Sequence, residues 1–181
     1  MDSLKVTNLA ISWKSFNFIK KTKRAYANLI NSQVIRPLKV NYHANFAVVR
    51  YKNVKFVYII FYSGHINCTG IASIELVNLA VHLFKRSYIT SISSFKVKAI
   101  AATAKLDRGL TPVELDKLVH ISSCEVRISL PNNKFAGLML RFQGGGSAQV
   151  FYSGKVNFLG ARSLSHLKFM CNFVVAIITK K

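Results

Sequence analysis

Two stretches of the 181-residue chain decide its fold: Phe61-Tyr-Ser-Gly-His-Ile-Asn67 and Phe151-Tyr-Ser-Gly-Lys-Val-Asn157. They are one phrase written twice, 90 residues apart. The repetition extends outward from them. Ser3-Leu-Lys-Val-Thr-Asn-Leu-Ala10 returns as Ser94-Phe-Lys-Val-Lys-Ala-Ile-Ala101, and Asn45-Phe-Ala-Val-Val49 returns as Lys134-Phe-Ala-Gly-Leu138. The chain therefore reads as two copies of one unit, residues 1–90 and 91–181, sharing one structural domain. Two copies are too few for a solenoid array. They fit a pseudo-twofold object with matched residues at matched places, whose natural ligand is itself near-symmetric.

Charge narrows that ligand. Lys and Arg number 26 against 6 acids, a formal net charge of +20. Such an excess points to a polyanionic partner, and duplex DNA is both polyanionic and near-symmetric. The cations are spread along the chain; only Lys20-Lys-Thr-Lys-Arg24 is a tight cluster, so a basic tail is not the source. Cys68, Cys124 and Cys171 have no metal-ligand spacing and fit small core residues in a reducing compartment. The apolar runs at 56–62 and 173–179 are too short to span a bilayer, and the N-terminus lacks the pattern of a signal peptide. The six acids include no pair in a catalytic setting, the five His residues show no metal spacing, and Gly144-Gly-Gly146 lies in a hairpin rather than before a helix. The expectation is a protein that is not an enzyme, with no cofactor, no metal and no membrane partner.

Local patterning repeats with the motifs. In the first copy, residues 4–13 read as a strand, 15–30 as a helix, 34–42 as a strand, 46–51 and 55–62 as a hairpin, 65–71 as a strand, and 73–87 as a helix capped by Ser73. In the second, residues 95–105 are a strand. Thr111-Pro-Val-Glu114 opens a helix, with a Thr cap, Pro in the first turn and Glu three residues on. Strands follow at 121–130, 135–142, 148–152 and 155–161, then a helix at 163–178. This order closes as an α+β fold with one curved antiparallel sheet and helices on its convex face. Strand alternation sends Ile66, Cys68, Val156 and Phe158 to the helices, and His65, Asn67, Thr69, Lys155, Asn157 and Leu159 to the opposite face.

These strings resemble the conserved core of the TATA-box-binding protein family. The first copy carries Phe46-Ala-Val-Val49, a hairpin, then Ile59-Ile-Phe-Tyr-Ser-Gly-His-Ile-Asn-Cys-Thr-Gly-Ile-Ala-Ser73; the second carries Phe135-Ala-Gly-Leu138 and Val150-Phe-Tyr-Ser-Gly-Lys-Val-Asn-Phe-Leu-Gly-Ala-Arg162. The resemblance covers nearly the whole chain and implies a saddle whose underside binds the minor groove of AT-rich double-stranded DNA. It implies that Phe46 with Phe61, and Phe135 with Phe151, are wedges between base steps. It implies that Asn8 and Thr69 bond acceptors at the centre of the site, a pair replaced in the second copy by Ala99 and Leu159. Asn67 and Asn157 stand where the family has Val, and are expected to shift sequence preference. Arg50, Lys55, Lys96, Arg141 and Lys155 are candidate phosphate contacts.

The family's partner surfaces are altered. The link Pro131-Asn-Asn-Lys134 lacks the acids that dock general transcription factor IIB, and residues 73–87 carry only Lys85 and Arg86 where the family's helix is strongly basic. The implied role is a transcription initiation factor acting on promoter DNA in the nucleus, with an initiation-factor or polymerase partner, and with a DNA-free dimer through the aromatic face. The alternative is an architectural DNA-packaging protein. Richness in Lys, Asn, Ile and Phe fits an AT-rich genome such as that of a large DNA virus or a fast-evolving parasite.

Overall fold

The computed structural model describes residues 2–15, 28, 35, 37–52, 54–88, 90, 92–119, 126–129 and 137–179. Among these the chain forms ten strands and three helices. They fall into two compact units, Asn8–Lys98 and Met1–Thr7 with Ala99–Lys181.

In the unit Asn8–Lys98, the body of β1 (Asp2–Lys14) is joined by β2 (Lys39–Tyr42), β3 (Phe46–Arg50), β4 (Val57–Phe61), β5 (His65–Ile71) and helix α1 (Glu75–Tyr88). The strands are antiparallel in the order β2-β3-β4-β5-β1. Alternation decides which side chains go under the helix. Tyr58 and Ile60 of β4 and Ile66 and Cys68 of β5 are fully buried, while their neighbours Ile59, Phe61, Asn67 and Thr69 are half-buried on the other face. From α1 come Val77, Ala80, Val81 and Phe84, one apolar stripe at helical spacing. Trp13 meets Phe84 edge-on at 5.2 Å, and Tyr58 packs on Phe84 at 5.4 Å. The Tyr58 hydroxyl, buried by this cluster, donates to Ala80 O at 2.8 Å, and burial pushes its acidity down by raising its pKa. Each such large apolar side chain contributes about 1.5–3 kcal/mol on burial.

The second unit contains the body of β6 (Lys96–Lys105), from Ala99 on, with α2 (Pro112–Val119), β7 (Val126–Ser129), β8 (Gly137–Phe142), β9 (Ser147–Phe151), β10 (Lys155–Ala161) and α3 (Leu164–Thr179). Its strand order is β6-β10-β9-β8-β7. Residues 2–7 of β1 belong to this unit, where Thr7 Oγ1 donates to Ala101 O of β6 at 3.2 Å. Ala148, Val150, Val156 and Phe158 are fully buried from β9 and β10, beneath Leu167, Met170, Val174 and Ile177 of α3. The start of α2 is a reciprocal cap. Glu114 N donates to Thr111 Oγ1 at 3.2 Å and Thr111 N to Glu114 Oε2 at 2.8 Å. Arg108 joins it at 2.6 Å, and this ion pair, with the Thr111 N–H, holds the exposed Glu114 carboxyl down to about 2. Ser163 caps α3, accepting from His166 N at 3.0 Å.

Two further features are duplicated. A bulge interrupts β1–β5 pairing between Leu9 and Ile11, and another interrupts β10–β6 pairing between Phe158 and Ala161. Each contains a left-handed glycine, Gly70 (φ 84) and Gly160 (φ 76), a conformation that L side chains rarely adopt. At Gly70 a Cβ would also collide with the carbonyl oxygen of Lys55.

The strand at 65–71 and the strand at 155–161 have the expected bounds. Ser15, expected to open a helix, is instead buried and bridged to Ile92, with its hydroxyl 2.8 Å from Thr90 Oγ1. That contact ties down the end of β1. Helix α1 starts at Glu75 rather than Ser73, whose hydroxyl lowers the Glu75 pKa through a hydrogen bond. The rest of the expected helix at 15–30, apart from Asn28, lies outside the described residues, as do the link at 131–134, Phe135 and Cys124.

Gly137 sits where β8 presses on β9, so that a Cβ there would strike the carbonyl oxygen of Val150. Gly137→Ala is expected to cost about 1–3 kcal/mol in urea unfolding. Gly144→Ala, whose Cβ meets only His166 Nε2 at 3.9 Å, should stay within about 0.5 kcal/mol of the parent.

Candidate nucleic-acid interface

The faces not covered by helices carry the functional candidates, arranged in rows by the ladder register. In the unit Asn8–Lys98, Phe46 of β3 stands directly across from Phe61 of β4, with ring centroids 5.5 Å apart. Both are half-buried. Phe46 is braced from behind by His43, stacked at 4.5 Å, in a turn closed by His43 N donating to Phe46 O. In the next row Ile59 faces Asn67, and Asn67 faces Ser12. In the row beyond, Val57 faces Thr69.

Asn8 and Thr69 come together, and their geometry is polarised. Asn8 Oδ1 accepts from Gly70 N at 2.9 Å and from Thr69 Oγ1 at 3.3 Å. A backbone N–H can only donate, so the orientation of the Asn8 amide is unambiguous. Its oxygen is turned inward onto the bulge, and its NH2 group is the edge left for an outside acceptor.

The second unit keeps the frame and changes the contents. Opposite Phe151, half-buried on β9, the ladder places Gly137. This is the register position that Phe46 holds opposite Phe61. The next row runs Met139–Gln149–Asn157–Thr103 across four strands, all half-buried. Asn157 Oδ1 is buried without a hydrogen-bond partner. In the row beyond, Ser147 faces Leu159, which is 42% exposed. Ala99 stands half-buried on β6, and neither it nor Leu159 can hydrogen-bond through its side chain.

The cations lie around these rows. Arg50 ends β3 and Arg141 is the last residue but one of β8, in equivalent ladder positions and both exposed; Lys55 precedes β4 and Lys96 starts β6, also exposed. Lys155 is exposed and directly across from Lys105, where the first repeat pairs His65 with Lys14. Like charges in opposed ladder positions repel, which a phosphate between them relieves.

Sequence inspection had not singled out Lys105, Thr103 or Gln149. Each lies on a different strand from the motif residue it faces, and only the register brings them together.

Among the described residues, no group of three or more His, Cys, Asp or Glu residues can hold a metal ion, and no helix is long and apolar enough to cross a membrane.

The fold is that of a known class. The TATA-binding protein of Methanococcus jannaschii superposes with a TM-score of 0.78 over 99% of both chains, at 21% sequence identity. This is the TBP-like α+β fold, an antiparallel sheet with helices on one face in each unit. Residues 94–181 match the family described as "Transcription factor TFIID (or TATA-binding protein, TBP)". No curated protein matches the chain by sequence at a significant level. The chain has the TBP-like fold, and its second half matches the TBP family model.

Removing the inward-facing Asn8 oxygen leaves the half-buried Gly70 N–H without its acceptor. Asn8→Ala is expected to destabilise the protein by about 1–2 kcal/mol in urea unfolding, before any ligand is added. Ala99→Asn, at the equivalent place, tests whether the second bulge accepts the same lock without loss.

Proposed function

We propose that this protein is a non-enzymatic transcription initiation factor that binds the minor groove of promoter DNA, bends it and nucleates an initiation complex. The observation that carries the reading is the Phe46–Phe61 pair, two cross-strand rings half-exposed on an uncovered sheet face, two ladder rows from the polarised Asn8 amide. Apolar wedges unstack base steps and kink DNA toward the major groove, the mode of the TATA-binding protein itself. Phe151, on the equivalent strand of the other repeat, and Phe135 before β8 are the proposed second wedge. The outward NH2 of Asn8 suits the minor groove of A·T pairs, which offers only acceptors. Arg50, Lys55, Lys96, Arg141, Lys155 and Lys105 supply phosphate contacts within a chain of net charge +20.

The reading extends to cell context. A factor of this kind works where the promoters are, in the nucleus of a eukaryotic cell or of a virus's host. Its initiation-factor or polymerase partners differ from the family's usual ones, because the 131–134 link has no acid and α1 carries only Lys85 and Arg86 as cations. Without DNA, the exposed aromatic rings favour a dimer through the same face.

One observation favours a second reading, an architectural protein without promoter specificity. The second repeat holds Ala99 and Leu159 in place of a polar pair. The two readings separate in a binding and bending assay at physiological salt, with a TATA-containing duplex against a scrambled GC-rich one. An initiation factor prefers the first by about a thousandfold or more and bends it. A packaging protein binds both equally and without a bend. Phe46→Ala with Phe61→Ala is expected to weaken binding at least about tenfold and reduce the bend angle seen by end-to-end energy transfer. Affinity should fall steeply with salt, and Lys105→Ala with Lys155→Ala should reduce the slope of log K against log salt by about 1–2.

A further inference from the structure

We infer that Thr103, Asn157 and Gln149 form a second polar reading row, through which the second repeat recognises a G·C base pair in its half-site while the first repeat recognises only A·T. The inference rests on the proposed minor-groove function and deepens it. It starts from two Asn side chains with opposite hydrogen-bonding states. Asn8 has its oxygen locked inward by Gly70 N and Thr69 Oγ1, so it presents donors only. Asn157 has a buried oxygen with no partner at all. An unsatisfied buried acceptor is unfavourable, and nothing in its surroundings holds it there. Rotation about the last side-chain torsion of Asn is soft, so the amide is free to turn its oxygen outward.

An outward acceptor has one class of partner in the minor groove. The edges of A·T pairs carry acceptors only, whereas the guanine 2-amino group is a donor. The inward edge of the turned amide is then an NH2 group, and it needs an acceptor. As they stand neither flanking ladder partner reaches that edge, since the oxygen there has no partner, and a rotamer change of one of them brings its oxygen to the NH2 when the amide turns. Thr103 on β6 and Gln149 on β9 stand directly across from Asn157 on either side. Directly opposed side chains have Cβ atoms about 4.5–5.5 Å apart, within reach of a hydroxyl or an amide. Gln149 is itself able to show a second acceptor to the groove.

The first repeat has only part of this arrangement at the same register. Its row reads Ser12–Asn67–Ile59, in which Ser12 supplies a hydroxyl, Ile59 cannot hydrogen-bond through its side chain, and Asn67 has no buried oxygen left unpartnered as Asn157 has. The second repeat has therefore lost its polar pair at Ala99 and Leu159 and gained a polar row two residues back along β10, about 6.6 Å away. The reading position is displaced and its chemistry reversed, from donating to accepting.

Inosine provides the test, because I·C differs from G·C in the minor groove only by the missing 2-amino group. A bound duplex obtained by selection from a random pool is scanned, one pair at a time, with G·C and then I·C at each position, by fluorescence anisotropy. The expected result is one position, in one half-site only, where G·C binds about five- to tenfold tighter than I·C. That preference should vanish in Asn157→Val and shrink in Gln149→Ile, each variant binding the G·C and I·C duplexes more nearly alike, while the thermal midpoint of Asn157→Val is no lower than the parent's. If duplexes bind but no position favours G·C, or if the preference survives Asn157→Val, the polar row does not read guanine and the inference fails alone. If no duplex binds, the minor-groove function falls and the inference with it.

Discussion

Alternation along the strands is the constraint from which everything else follows. In β4, β5, β9 and β10 every second residue is committed to packing beneath a helix. Tyr58, Ile60, Ile66, Cys68, Val150, Val156 and Phe158 are held there with almost no exposure. The intervening residues have no helix to meet, and their identity is released from the demands of the core. Both repeats keep the committed set apolar and vary the released set freely. Asn67 and Asn157 agree, while Thr69 and Leu159, or Ile59 and Gln149, do not. A repeated fold with divided faces can therefore preserve its architecture while its two uncovered faces diverge.

The duplicated bulges fix where the rows fall. Gly70 and Gly160 take a backbone conformation closed to most residues, and each offsets the pairing of its strand with the neighbour. In the first repeat the bulge amide is engaged by Asn8, which makes a structural element out of a residue proposed for recognition. Stability and hydrogen-bonding polarity at that place are the same interaction. The second bulge has Ala99 at the matching position, and the second repeat carries its polar groups elsewhere.

Much of this was legible in the sequence. The repeated Phe-Tyr-Ser-Gly phrase placed β5 and β10, and hydrophobic alternation separated their faces, because a period of two leaves no ambiguity over seven residues. The Thr111–Glu114 cap was equally local and equally readable. Cross-strand register was not. Matching strings pairs Phe46 with Phe135, but the ladder puts Phe46 opposite Phe61 and Gly137 opposite Phe151. Register depends on residues far apart in the chain and leaves no trace in a local pattern. For the same reason Gln149, Thr103 and Lys105 drew no notice, since each gains its meaning from a side chain on another strand. The opposite amide states of Asn8 and Asn157 depend on which backbone groups lie behind them, and no motif records that.

The opposed ammonium groups of Lys105 and Lys155 carry a consequence for the handling of the molecule. Two like charges fixed in facing ladder positions make the empty protein less stable than its packing alone implies. Any anion that bridges them relieves the repulsion, and mass action then ties folding free energy to the concentration of free polyanion. The thermal midpoint of such a protein is a titration of its surroundings. A preparation carrying residual nucleic acid and one stripped of it will differ in melting temperature, without any change in the chain.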